Sequence, residues 1–350
     1  MIAKGSCVHL GAAMALICRR GLALPQQLAP LTQHLQVLVD LESNHYRGAA
    51  TLAYETVCSK PQQDASSQPE KQTALVVHGL LGSGRNWRTF ARNLANKAAS
   101  SSGEPWKMVM VDQRNHGASS SLPLHPPHSI EAAAADLSRL VQTELGGNMP
   151  KAVLGHSLGG KTVLEFLRQN SKEGNALPKQ VWVLDSPLGR WNGDGSTDTD
   201  NVINEILNIP LPVPSRRWLY DYMTVRGYSQ AVQHWLGSNL VPTNNGLKWA
   251  FDISGAAAMF HSYKQQDYWD LLQHPPPGVE VHIVRAADSD RWSKRELSQL
   301  DALQKKSTKS PDEGCVKVHV LPNAGHWLHV ENPDGLLELM NPSLTNTTKG

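Results

Sequence analysis

The chain has 350 residues, enough for one large core with an insertion. Its hydrophobic (40%) and charged (18%) fractions exclude a wholly disordered protein. With 33 basic against 31 acidic residues the net charge is +2, so the composition gives no electrostatic footprint for nucleic acid. Cys7, Cys18, Cys58 and Cys315 form no C-x-x-C pair, which argues against a disulfide scaffold and a cysteine zinc site. No stretch approaches the roughly 18 consecutive apolar residues of a membrane-spanning helix.

The first acidic residue is Asp40. Before it stand Lys4, Arg19 and Arg20, with an apolar stretch over 8–18. An acid-free, arginine-containing start predicts an organelle transit peptide over 1–45, for mitochondrion or chloroplast, with a cytoplasmic protein as the fallback. A disordered tail and a secretory signal are the rival readings. Arg19-Arg20 after the apolar stretch, without a small-residue cleavage pattern, counts against secretion. The sequon Asn346-Thr347-Thr348 is weak support for it.

Residues 49–57 (AATLAYETV) are rich in strand formers and predict an early strand, followed by a polar loop over 60–72. The run 74–78 (ALVVH) ends at a glycine and reads as a buried parallel strand. Over 87–99, Trp87, Phe90, Ala91, Leu94, Ala95 and Ala98 fall on one helical face. A second buried strand is predicted at 107–112 (KMVMVD). Ser129 is placed to cap a helix with Glu131 and Asp136 in its early turns. A third strand at 152–155 leads through a glycine-rich turn into a helix from about Lys161. Further strands follow at 181–185 (VWVLD), 279–285 (VEVHIVR) and 316–321 (VKVHVL). Short strands alternating with helices mean an α/β fold, a parallel sheet with helices on both faces. The stretch 186–277 has no clear buried strand, holds five of the ten tryptophans, and looks helical around Val202 and Tyr228. It predicts a helical cap over 189–275, inserted into a core of 46–188 and 276–341, with a tail over 342–350. A cap over the C-terminal edge of the sheet shapes a pocket, since ligands bind at that edge.

The string Gly155-His156-Ser157-Leu158-Gly159-Gly160-Lys161-Thr162 satisfies two patterns. Gly155, Gly160, Lys161 and Thr162 fit the P-loop of nucleotide-binding proteins, and Asp185 at the end of VWVLD mimics its magnesium-holding acid. Gly155, Ser157 and Gly159 fit G-x-S-x-G, the nucleophile elbow of serine hydrolases. The rest of the chain arbitrates. A hydrolase needs an oxyanion-hole loop upstream and a histidine downstream. His78-Gly79-Leu80-Leu81-Gly82 follows the first buried strand, and Asn323-Ala324-Gly325-His326 follows the last. A P-loop protein explains neither.

With these motifs in order, the chain resembles the α/β-hydrolase superfamily over about 46–341. Within it, HGLLGSGRNW (78–87), VDQRNHGAS (111–119), GHSLGGKT (155–162) and NAGHWLHVENP (323–333) resemble the group of α/β-hydrolase domain-containing protein 11 and related bacterial esterases. The resemblance implies the α/β-hydrolase fold: a mostly parallel eight-stranded sheet with a helical cap after the sixth strand. Ser157 is the expected nucleophile, and His326 the expected base with His329 as its rival. For the acid, the resemblance to the group points to Asp185, while Asp288 and Asp290 stand where the superfamily commonly carries it. Backbone N–H groups of Leu80 and Leu158 are expected to form the oxyanion hole. Asp112, Arg114, Asn115 and His116 read as a structural network beside the pocket, and Lys161 as a solvent-facing or loop-packing lysine. His125 and His128 lack the carboxylates of a metal site.

The expected activity is hydrolysis of a carboxylic ester or thioester through an acyl-enzyme on Ser157, with C–C bond hydrolysis also open. No cofactor or metal is expected, and the expected partner is a small, apolar acyl substrate. A ligand receptor on the same scaffold and a P-loop NTPase are the competing classes, and oligomeric state is left open.

Overall fold

The computed structural model describes residues 50–60, 71–191, 198–306 and 313–345. The transit-peptide reading, Cys7 and Cys18, most of the polar loop at 60–72 and the sequon at Asn346 lie outside them. In chain order the strands are β1 (Tyr54–Cys58), β2 (Gln72–Val77), β3 (Trp106–Val111), β4 (Ala152–His156), β5 (Gln180–Leu184), β6 (Leu240–Thr243), β7 (Gly246–Trp249), β8 (Glu280–Ala286) and β9 (Cys315–Leu321). Seven of them form one sheet in the order β1-β3-β2-β4-β5-β8-β9; β6 and β7 pair separately. Only β1 runs antiparallel in the large sheet. These seven are the early strand and the six buried strands that the apolar runs predict. The eighth strand implied by the resemblance is not among the described residues.

The central strands are buried on both faces, which is why their sequences are apolar without alternation. Every residue of β4 and β5 is buried. Successive side chains still go to opposite sides. Leu75, Val77, Val153, Val181 and Val183 pack on one face with α2 (Ile130–Glu144) and α3 (Leu158–Glu173). Ala74, Val76, Leu154, Trp182 and Leu184 pack on the other, with α1 (Arg88–Ser102). Ser129 caps α2, its side chain accepting from the Ala132 N–H.

The segment expected as a cap carries α4 (Asp198–Leu207), α5 (Arg216–Val225), α6 (Gln230–Ser238), the β6–β7 hairpin, α7 (Ile253–Gln265) and α8 (Trp269–Gln273). The hairpin escapes sequence reading because only Leu240 and Trp249 of its eight residues are buried, so it carries no apolar run. Tyr228 lies between α5 and α6. Val202, Ile206, Leu219, Met223 and Leu236 of the cap cluster with Leu80, Leu81 and Leu158, so the cap's core is continuous with the loops around Ser157. The core closes with α9 (Lys294–Lys306), α10 (Leu328–Glu331) and α11 (Pro333–Thr345). That last helix corrects the expected tail boundary at 342. Leu336, Leu337, Met340 and Leu344 are buried at helical spacing, and the helix packs on α1.

Candidate active site

Ser157 occupies the turn from β4 into α3 with φ 52° and ψ −119°. A non-glycine residue there is strained by about 1–3 kcal/mol and persists only where its surroundings enforce it. The two glycines do so by letting backbones touch. A Cβ at Gly155 would lie 2.1 Å from the Gly159 carbonyl oxygen, and one at Gly159 would lie 2.5 Å from that of Val77. The result lifts the hydroxyl off the helix and into a cavity.

His326, in the loop between β9 and α10, faces it. Its Nε2 stands 3.1 Å from Ser157 Oγ, and its Nδ1 stands 2.8 Å from Asp185 Oδ2. The loop is pinned at several points. Gly325 N–H donates to Glu331 Oε2 at 2.6 Å, and His156 Nε2–H donates to the His326 carbonyl at 2.7 Å. Burial first, then the neighbouring His326 and His329, drives His156 well below the usual histidine range, so its ring is neutral near neutral pH.

Asp185 directly follows β5 at φ 44° and is fully buried. The parallel register of β5 with β8 sets it beside the loop after β8. Its Oδ1 accepts the Ala286 N–H (3.1 Å) and Trp292 Nε1–H (2.8 Å); its Oδ2 accepts the Ser289 hydroxyl (2.6 Å) and His326. Burial alone would raise this carboxyl. The hydrogen bonds from His326, Ser289 and Trp292 outweigh burial and hold it below its ordinary value. Asp288 and Asp290 are exposed; the first gives its backbone N–H to the Ala324 carbonyl, and the second lies 3.5 Å from Arg291 Nε. The structure thus brings Asp185 to His326 and leaves the other two carboxylates at the surface. His329 stacks on Trp87 at 3.8 Å, and burial lowers it to about 3.

The loop after β2 passes close over the elbow: a Cβ at Gly79 would lie 3.2 Å from the Cβ of Ser157. Leu80 and Leu158 line the cavity beside Ser157. Two buried histidines shape this loop. His78 donates Nδ1–H to the Gly79 carbonyl and accepts the Gln113 N–H, while His116 donates Nδ1–H to the Arg114 carbonyl and accepts the Leu81 N–H. Each serves as donor and acceptor at once, which only a neutral ring can do. Burial accordingly lowers them to about 4 and about 3. The surrounding residues form the expected network. Asp112 accepts the Gly84 and Ala118 N–H groups, and Arg114 pairs with buried Asp136 at 2.7 Å. Gln113 accepts the Thr162 hydroxyl and so joins this network to α3.

Lys161 is 1% exposed, which excludes the solvent-facing alternative and fits the loop-packing one. Its ammonium turns to backbone carbonyls of the loops it packs against, and so does not point from a phosphate-binding loop as the P-loop alternative requires. Sequence reading missed Ser289 and Trp292, which hold Asp185, and His156, which holds the His326 loop. The one available signal was the position of Ser289 and Trp292 after a predicted strand.

The cavity above Ser157 measures about 1260 Å³, walled by Val202, Trp235 and Phe260 of the cap together with Trp292 and Trp327. Among the described residues no cluster of three or more side chains could hold a metal ion, and no helix is long and apolar enough to cross a membrane.

A mostly parallel sheet, an elbow serine and a histidine loop at one sheet edge define the fold class, and residues 74–339 match the model of the alpha/beta hydrolase family. The chain belongs to that family. It is similar to the sn-1-specific diacylglycerol lipase ABHD11 of Mus musculus, 25% identical over 273 residues that cover 77% of this chain and 80% of that one. It is also similar to Escherichia coli esterase YbfF, 25% identical over 291 residues, covering 81% and 97%. Among solved structures, a marine microorganism esterase superimposes with a TM-score of 0.58 at 19% identity, over 83% of this chain and 98% of its own, and shares the fold. The protein is an enzyme of the alpha/beta-hydrolase class.

Proposed function

We propose that the protein is a serine hydrolase that cleaves carboxylic esters or thioesters through an acyl-enzyme on Ser157. The observation that carries this reading is the hydrogen-bonded chain from Ser157 Oγ to His326 Nε2 (3.1 Å) and from His326 Nδ1 to Asp185 Oδ2 (2.8 Å), on a strained elbow under a large cavity. In this reading Ser157 Oγ attacks the acyl carbonyl as His326 Nε2 takes its proton. The negative oxygen that forms is received by the N–H groups of Leu80 and Leu158, each such donor being worth about 3–4 kcal/mol. The imidazolium is stabilised by Asp185, which stays ionised. His326 then protonates the leaving alcohol or thiol, and a water activated by the same nitrogen releases the acid. The aromatic and aliphatic cap residues fit an apolar acyl group. The segment 1–45, which carries arginines and no acidic residue before Asp40, supports delivery to mitochondrion or chloroplast; imaging of a fluorescent protein fused to that segment checks it.

The test of the chemistry is labelling with a fluorophosphonate, read by intact mass, on wild type, Ser157→Ala and His326→Ala. One adduct on wild type and none on either variant is expected. A folded wild type that takes no adduct overturns the proposal.

A further inference from the structure

Lys161 stands one helical turn beyond Ser157 in α3, and its side chain is buried. A lysine ammonium withdrawn from water needs a partner for each N–H. Here all three partners are backbone: Nζ donates to the carbonyls of Gly189 (2.7 Å), Tyr263 (2.9 Å) and Gln266 (2.9 Å). The Tyr263 ring lies 4.4 Å from the same nitrogen. Burial lowers the ammonium to about 7, while Glu296 and Asp267 pull it back up.

The three carbonyls share a location. Gly189 lies where the chain leaves the core for the cap. Tyr263 and Gln266 lie at the C-terminal end of α7, where the chain returns and where helix carbonyls carry partial negative charge. Trp191 N–H donates to the Lys264 carbonyl (2.8 Å) and Tyr268 N–H to the Leu188 carbonyl (3.1 Å), so the outgoing and returning segments run side by side as a neck. Lys161 connects both to the helix that begins at the nucleophile.

We propose that Lys161 is a positioning residue that ties the neck of the cap to the nucleophile helix and thereby makes the enzyme selective for acyl-chain length. Ser157, His326 and Asp185 are held by core elements, so a short acyl group depends little on the cap. A long one lies against Val202, Trp235 and Phe260 of the cap, whose chain leaves and re-enters the core through the neck. The kinetic part rests on the serine-hydrolase reading; the structural part does not.

The test uses the full chain and Lys161→Met, which keeps the apolar stem and removes the three donors. Against p-nitrophenyl acetate and decanoate, the KM for decanoate is expected to rise about tenfold more than that for acetate, with kcat changing alike for both. Lys161→Arg, which keeps charge and donors, should bring the decanoate KM back toward wild type. Amide exchange read by mass spectrometry should quicken over 188–191 and 263–268. Equal changes for the two esters, or unchanged exchange in the neck, overturn the proposal. If Lys161→Met does not fold, Lys161→Gln replaces it, and a decanoate KM no lower in the Arg variant than in the Gln variant overturns it equally. A wild type that hydrolyses neither ester sinks the serine-hydrolase reading instead, and exchange in the neck then decides the tether alone.

Discussion

Replacing Asp185 by asparagine tests the reading at its most constrained point. Oδ1 faces two groups that can only donate, the Ala286 N–H and the indole N–H of Trp292. The amide oxygen of an asparagine must therefore take that place, and its NH₂ must take the place of Oδ2. There the Ser289 hydroxyl can turn and accept. His326 Nδ1 can accept as well, but only by moving its proton to Nε2. A protonated Nε2 no longer accepts from Ser157 Oγ, 3.1 Å away. The variant should fold, having lost one hydrogen bond of about 1 kcal/mol, yet lose about 10⁴ in kcat. That is roughly 5 kcal/mol of activation free energy. Steady-state hydrolysis of a p-nitrophenyl ester, with urea unfolding as the control, measures both. A folded Asp185→Asn enzyme within about tenfold of wild type refutes the reasoning. So does a greater loss in Asp288→Asn or Asp290→Asn.

Gly155→Ala forces a methyl to within 2.1 Å of a backbone oxygen and should cost about 2–3 kcal/mol in urea unfolding, whereas Gly146→Ala, with open space but φ 61°, should cost only about 1 kcal/mol. Arg114→Met strips Asp136, 2% exposed, of its closest cation and leaves Arg139 at 3.2 Å; a loss of about 3 kcal/mol is expected, with partial recovery on adding Asp136→Asn. Stability should also fall with acid in a defined window. His78 and His116 are lowered from 6.5 to about 4 and about 3, so between those values the unfolded chain binds more protons than the folded one. The stability from keeping them neutral is complete above pH 6.5 and drains away as the pH falls toward 4 and 3. At pH 5 each should have cost roughly 2 kcal/mol, visible as a lower urea midpoint than at pH 7, and a midpoint unchanged between the two contradicts the buried-neutral assignment.

Much of the sheet is legible in the sequence because its strands are buried on both faces. ALVVH and VWVLD announce themselves as unbroken apolar runs, and the β6–β7 hairpin, half in water, does not. Ser157 and His326 stand in local motifs that survive without knowledge of the fold. The proposed acid does not: Asp185 ends one predicted strand, Asp288 and Asp290 follow another, local pattern leaves the three open, and beyond the family resemblance it is the contact with His326 that distinguishes Asp185. Ser289 and Trp292 were illegible for the same reason, being more than a hundred residues from the carboxylate they hold. Lys161 was legible only as one of two alternatives, of which the loop-packing one fits. Charge predicts a wetted side chain, and nothing local reveals that three distant carbonyls converge on it.

The seat of Asp185 has a consequence for redesign. The carboxylate lies at the junction of two neighbouring parallel strands, supplied by the end of β5 and gripped by the loop after β8. Ser289 Oγ, on that second loop, sits 2.6 Å from the very oxygen that meets His326. A carboxylate supplied from the loop after β8 in place of Ser289, with Asp185 shortened to serine, would therefore meet His326 from the other strand end while the imidazole stays where it is. On the proposed reading the imidazole needs a negative charge at one point in space, and two different strand ends come close enough to deliver it.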